Sequence, residues 1–209
     1  MTEIVIVGAG GFGAEVLSII NDIGIYDVVG FLDANPEKAG VKIQGIPVLG
    51  GDNILEDLIS KGTVTIAMAI GERDLRQQLS QKALKFGCDL PVLVHPEAYV
   101  ARDVIPGSGT IIYPGAVIMP GCELSMGVLI NSGVTLGHDV KIGKYSNINP
   151  GANIAGHVSI GERVLVGIGS TVLENCLIGD DAKVGAGAVV IKNVPEKITV
   201  VGVPARKTN

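Results

Sequence analysis

INSGVTLGHDVKIGKYSNINPGANI, residues 130–154, carries a branched apolar side chain at every sixth position: Ile130, Leu136, Ile142, Ile148 and Ile154. The register runs upstream through Ile112, Ile118 and Leu124 and downstream through Ile160, Val166, Val172, Ile178, Val184 and Val190, fourteen Ile, Leu or Val in succession. Two positions before each anchor the residue is small or Val, as at Ala116, Val134, Ala152, Ser170 and Ala188, and Gly follows the anchor at 137, 143, 161, 167, 179 and 185. A helix repeats every 3.6 residues and a strand alternates every two, so a period of six belongs to neither. It fits a short strand and a sharp corner, stacked coil upon coil in a parallel β-helix whose interior the anchors fill. The small residue takes the second inward place. Gly after the anchor is expected to supply corner backbone angles that a Cβ would forbid.

Composition narrows the function. The chain has 209 residues, a net charge of −5, 3% aromatic residues and no Trp. Scattered Lys and Arg with a net negative charge exclude a phosphate-backbone binder, so no nucleic-acid partner is expected. Residues 104–122 carry no charge, yet three Pro and four Gly in hexad register argue against a membrane helix. The opening MTEIVIVGAGGFG has neither a basic leader nor a cleavage site, which points to a cytoplasmic protein. Cys88, Cys122 and Cys176 are not spaced as metal ligands, and two of them fill the small inward slot, so they read as reduced, buried apolar residues with no metal.

The first half has a different pattern. A buried strand over residues 3–7 runs into Gly8-Ala9-Gly10-Gly11-Phe12-Gly13 and a helix to about Ile23. Strands over 28–33, 64–70 and 91–94, with helices over 53–60 and 73–86, complete a βαβ alternation and hence a parallel sheet. The expected domains are 1–92, a Rossmann-like half; 93–191, the β-helix; and 192–209, a capping tail. The G-x-G-x-x-G with Asp33 twenty residues past Gly13 fits a dinucleotide fingerprint. About ninety residues is roughly half of a full dinucleotide fold, and no hydride-transfer domain follows, so an NAD-dependent oxidoreductase ranks last. A helix start with free N–H groups suits an anion such as the diphosphate of a nucleotide sugar.

A small Gly-rich α/β domain joined to a hexad prism resembles the hexapeptide-repeat sugar acyltransferases of bacterial glycan synthesis, which include sialic acid O-acetyltransferases and N-acetyltransferases of nucleotide-linked 4-amino-4,6-dideoxy sugars. The residues that carry the resemblance are GAGGFGAEV from Gly8, Phe31-Leu32-Asp33, Ile46 to Gly50, Ala69-Ile70-Gly71, His95-Pro96, NSGVTLGHD from Asn131 and Val201 to Ala205. It implies a left-handed β-helix with three hexads per triangular coil, although connections in general favour the right hand. It also implies a homotrimer with acetyl-CoA as cosubstrate.

Carried over to this chain, the resemblance makes His138 the general base and Asp139 its support. A neutral imidazole can take the proton that an attacking amine must lose, and a carboxylate steadies the imidazolium. Gly156 would supply the oxyanion N–H. Asn131, Asn147, Gly156, Gly167, Ile168 and Ala186 would contact acetyl-CoA, with Arg206 or Lys207 near its phosphates. Gly10, Gly11, Phe12, Asp33, Asn35 and Gly71 would hold the nucleotide sugar. No Ser or Cys sits in a nucleophile motif, so direct transfer is expected rather than an acyl-enzyme. His157 reads as an outer-face residue and His95 as structural. Many relatives carry His where this chain has Phe12, which leaves the acceptor open between the 4-amino group of a nucleotide-linked sugar and a hydroxyl of sialic acid or another sugar. A non-catalytic nucleotide-sugar-binding protein is the rival from another class, and His138-Asp139 speaks against it.

Overall fold

The computed structural model describes residues 1–208 apart from 52–53, 55–57 and 59–63. The chain divides into two compact units, Met1–Leu93 and Val94–Asn209. The helix expected over 53–60 falls largely outside the described residues.

In the first unit, β1 (Thr2–Val7), β2 (Tyr26–Leu32), β3 (Lys42–Ile43), β4 (Ile46–Gly50) and β5 (Thr65–Met68) form one sheet in the order β3-β4-β2-β1-β5. All neighbours are parallel except β3 and β4. The β3-β4 pair is an edge the sequence reading missed. The strand expected over 91–94 shrinks to Leu93–Val94 and lies outside this sheet, where residue 89 instead bridges to Thr65. Helix α1 (Gly11–Ile23) buries Val16, Leu17, Ile19 and Ile20 and ends at Gly24, whose φ of 73° lets its N–H close on the Ile20 carbonyl. Helix α2 (Arg73–Lys85) starts at Glu72, whose carboxylate caps the Asp74 and Leu75 N–H groups.

Two of the four loop glycines are fixed by packing. A Cβ on Gly8 would strike the Ala69 carbonyl, and one on Gly13 would strike that of Gly8, so the end of β1 can approach the Ala69 backbone and α1 this closely only without side chains at these positions. Gly10 and Gly11 have nothing within 4 Å of such a Cβ. They border open space.

The second unit is the prism. Two-residue strands recur every six residues from Ile111–Ile112 to Val189–Val190, and those as far as Thr171–Val172 pair in parallel with the strand eighteen residues on, as Leu129–Ile130 with Asn147–Ile148, Thr135–Leu136 with Asn153–Ile154 and Lys141–Ile142 with Ser159–Ile160. Three stacked sheets result. Every anchor from Ile112 to Val190 is at most 4% exposed, and Cys122 and Cys176 are free and buried in the small inward slot.

The corner chemistry differs from the expectation. The left-handed backbone falls on the third residue after each anchor from Ile112 to Val184, filled by Gly at 115, 121, 127, 133, 151, 169 and 187 and by Asp139, Tyr145, His157, Arg163, Asn175 and Asp181. Gly directly after the anchor answers to space instead. A Cβ on Gly137 would lie 2.6 Å from the Gly156 nitrogen, and one on Gly167 equally near the Ala186 nitrogen.

The tail continues the column. Thr199–Val201 pairs with Lys183–Val184, sixteen residues back rather than eighteen, and Arg206–Lys207 folds antiparallel against it. Truncating Ile148, which is fully buried, leaves an interior void, so Ile148→Ala is expected to cost about 2–5 kcal/mol in guanidinium unfolding. Lys183→Ala on the outer face should stay within about 0.5 kcal/mol.

Candidate active site

His138 and Asp139 occupy the corner that follows the strand Thr135–Leu136. The eighteen-residue step sets Gly156 at the place of His138 one coil further on, and His157 at that of Asp139. The coil bond from the His157 N–H to the His138 carbonyl, 3.0 Å, locks the two corners together. Asp139 and His157 both hold a φ of 58°, so their side chains leave the corner in equivalent directions. All three side chains are more than half exposed.

The Asp139 carboxylate Oδ2 lies 2.8 Å from His138 Nδ1 and 3.7 Å from His157 Nδ1. The hydrogen bond from His138, aided by the nearby charges of His157 and Lys141, holds the Asp139 carboxyl below its usual range. An ionised carboxylate only accepts, so His138 Nδ1 carries the ring proton and Nε2 keeps its lone pair. That lone pair is on the Gly156 side: a Cβ on Gly156 would sit 2.8 Å from Nε2. The Gly156 carbonyl accepts from the Asn175 N–H, and among the described residues no backbone carbonyl takes the Gly156 N–H. A bare imidazole nitrogen thus faces the Gly156 backbone, whose N–H no described backbone carbonyl takes.

The sequence reading placed His157 on the outer face but missed its partners. Its ring stands edge-on to that of His138, with centroids 4.7 Å apart and planes at 88°. The signal was available as the eighteen-residue spacing from Asp139.

Asn131, Gly167, Ile168 and Ala186 stack on a different corner, the one after the strands Leu129–Ile130, Leu165–Val166 and Lys183–Val184. Ile168 is exposed there. Asn147 lies on the strand itself and is only 6% exposed. Arg206 and Lys207 line a cavity of about 580 Å³ beside the last coil. His95 is buried, its Nδ1 accepting from the Glu97 N–H.

In the first unit, β1 lies between β2 and β5, so the sheet reverses its winding beside β1, where open α/β sheets hold ligands at the carboxyl ends of their strands. A cavity of about 240 Å³ opens there, lined by Gly8, Asp33, Ala34 and Ile70 among others. Gly10, Gly11, Asn35 and Gly71 are exposed and Phe12 is half-buried. Asp33 is engaged from within: its carboxylate accepts from the Ala9 N–H at 2.9 Å, the Asn35 N–H at 3.0 Å and Lys38 Nζ at 2.7 Å. Its first role is to hold the glycine loop. Arg76, fully buried on α2, donates to the Ile70 carbonyl at 2.7 Å and fixes the opposite wall.

A Gly-rich half-sheet unit in the same chain as a hexad prism defines the class of hexapeptide-repeat proteins with an α/β head. The family model described as the PglD N-terminal domain matches residues 3–83, and that of the bacterial transferase hexapeptide matches residues 157–192. PerB from Caulobacter crescentus, solved in complex with CoA and GDP-perosamine, superposes with a TM-score of 0.95 at 33% identity over 100% of this chain and 98% of that one. The acetyltransferase domain of PglB from Neisseria gonorrhoeae FA1090 gives 0.93 at 32% identity over 100% of both chains. The GDP-perosamine N-acetyltransferase of Escherichia coli O157:H7 is 32% identical over 145 residues, which are 67% of this chain and 64% of that enzyme, so the chain spans just under two thirds of that relative. The chain belongs to the hexapeptide-repeat sugar acyltransferase family, and its prism is the left-handed parallel β-helix of that family.

Burial pushes the Asp33 carboxyl up, but the hydrogen bonds from Lys38, Asn35 and Ala9 outweigh it and leave it below the usual carboxylate range. A lowered folded value means that this anchor stabilises the loop above the ordinary Asp range and is lost as pH falls through the folded value. Hydrogen exchange at Ala9, corrected for its intrinsic pH dependence, is expected to lose protection below about pH 4. In Asp33→Asn that pH dependence should vanish.

Proposed function

We propose that the chain transfers an acetyl group from acetyl-CoA to the 4-amino group of a nucleotide-linked 4-amino-4,6-dideoxy sugar. The observation that carries this is His138, oriented by Asp139 through Nδ1, with Nε2 turned to the Gly156 backbone. The amine attacks the thioester carbonyl, the C–N bond forms, and Nε2 takes the proton the nitrogen gives up. Asp139 steadies the imidazolium, and the Gly156 N–H donates to the carbonyl oxygen as it becomes an oxyanion. Collapse breaks the C–S bond. The imidazolium returns its proton to the leaving thiolate, giving free CoA and the amide without an acyl-enzyme.

Two corners imply two copies. The base is on one corner of the prism, while Asn131, Gly167, Ile168 and Ala186 are on another. A pantetheine arm that touches both sets is met by a closed ring of three prisms, in which one copy brings the base and its neighbour the second corner. The nucleotide is assigned to Gly10, Gly11, Phe12, Asp33, Asn35 and Gly71, where the open space above Gly10 and Gly11 and the uncapped start of α1 suit a diphosphate. Asn147, on the strand that leads into the corner of Asn131, Gly167 and Ile168, would steady that acetyl-CoA-facing corner from within. Three buried free thiols suit a reducing cytoplasm. Among the described residues no helix is long and apolar enough to cross a membrane.

Thiol release from acetyl-CoA, followed with GDP-, UDP- and dTDP-linked 4-amino sugars and with free sialic acid, tests the acceptor. Turnover is expected with a nucleotide-linked amino sugar, and turnover with free sialic acid alone would refute the assignment. His138→Ala should lower kcat/KM by roughly 10²-fold or more without changing the oligomer's mass. In Gly156→Ala the new methyl enters the space of the imidazole, and a displaced ring should cost a similar factor, on the order of 10². Undiminished rates in either variant would remove that residue from the mechanism.

A further inference from the structure

We propose that His138, Asp139 and His157 form a binding site for a zinc-type divalent cation whose occupation switches acetyl transfer off. Two imidazoles and a carboxylate each offer one ligand atom, and these atoms all lie within 4.8 Å of one another. Zinc holds tetrahedral ligands at bonds of about 2.0–2.1 Å, which sets neighbouring ligand atoms roughly 3.3 Å apart. The Asp139 Oδ2 separations, 2.8 Å to His138 Nδ1 and 3.7 Å to His157 Nδ1, bracket that value. The edge-to-face rings bring their nitrogens in from different directions, as tetrahedral coordination requires. The corners are tied by the bond from the His157 N–H to the His138 carbonyl, so small side-chain rotations close the site without backbone movement. Lys141, the cation next along the chain, is paired with Glu123 at 2.8 Å and leaves the carboxylate to the metal. Two nitrogen donors favour zinc over magnesium or calcium, which prefer oxygen.

The inhibitory sign follows from the ring. A metal on His138 Nδ1 leaves the one ring proton of the neutral imidazole on Nε2, and the lone pair that would accept the substrate's proton is gone. The metal also draws Asp139 away from its support of the imidazolium. This step rests on His138 being the base, as assigned above; the metal site itself does not.

The test has two arms on the full chain. In the first, zinc is titrated against a chromophoric chelator with no substrate present, and wild-type protein is expected to bind one ion at this corner. His157→Ala and Asp139→Asn should each weaken binding by about tenfold or more, whereas zinc held by the buried cysteines would be indifferent to both changes. Unchanged affinity in both variants overturns the proposal. In the second arm, thiol release should fall with the same zinc midpoint and recover on adding EDTA. The midpoint in His157→Ala, measured against its own zinc-free rate, should move up by the same factor, and magnesium in that range should do nothing. Zinc bound at full rate overturns the switch. Zinc bound by a chain that acetylates none of the sugars leaves the site standing and overturns the acetyl-transfer reading together with the switch.

Discussion

The constraint on which the molecule depends is the stacking of residue i over residue i+18. It arises from the interior, where the anchors from Ile112 to Val190 leave room for one branched side chain and one small one per hexad. Fully burying such a side chain is worth about 1.5–3 kcal/mol against leaving it exposed, so a slip of one residue would turn a whole column of anchors outward. Backbone bonds such as Gly137 N–H to the Ile154 carbonyl, 2.8 Å, then hold each coil to the next.

That register writes the site. Outward residues eighteen apart become neighbours whatever their chemistry, and this alone brings Gly156 beneath His138 and His157 beside Asp139. The glycines of the column divide by cause. Those directly after an anchor yield space to the next coil, and those two residues later supply a left-handed turn that Asp139 and His157 also adopt at some strain. Putting functional side chains at such turn positions fixes where they point. In the first unit the same division holds: Gly8 and Gly13 serve packing, while Gly10 and Gly11 border open space.

Much of this was legible in the residues. The six-residue period fixed the prism and its core, because inward packing is periodic and strict. The strand, glycine loop and helix at residues 3–23 were equally plain. The small edge pair β3-β4 was not, since two residues around a turn carry no period. The tail was read as leaving the repeat at Lys192, because its coil is two residues short and breaks the count although its strand still pairs. Asp33 was not legible as the anchor of Ala9, a contact between residues twenty-four apart that only the sheet order reveals. His157 was discounted because a single imidazole on an outer face has no partner until the coil length is known.

Whether the reaction needs two corners on two copies can be measured directly by mixing inactive chains. His138→Ala removes the base from one corner, and Ile168→Trp blocks the other, where Ile168 stands exposed. Each variant alone should be inactive. In rings reassembled from equal amounts of both, about one site in four receives both intact corners, so close to a quarter of the wild-type rate should return. Mixed assemblies that stay as inactive as their parents would contradict the account.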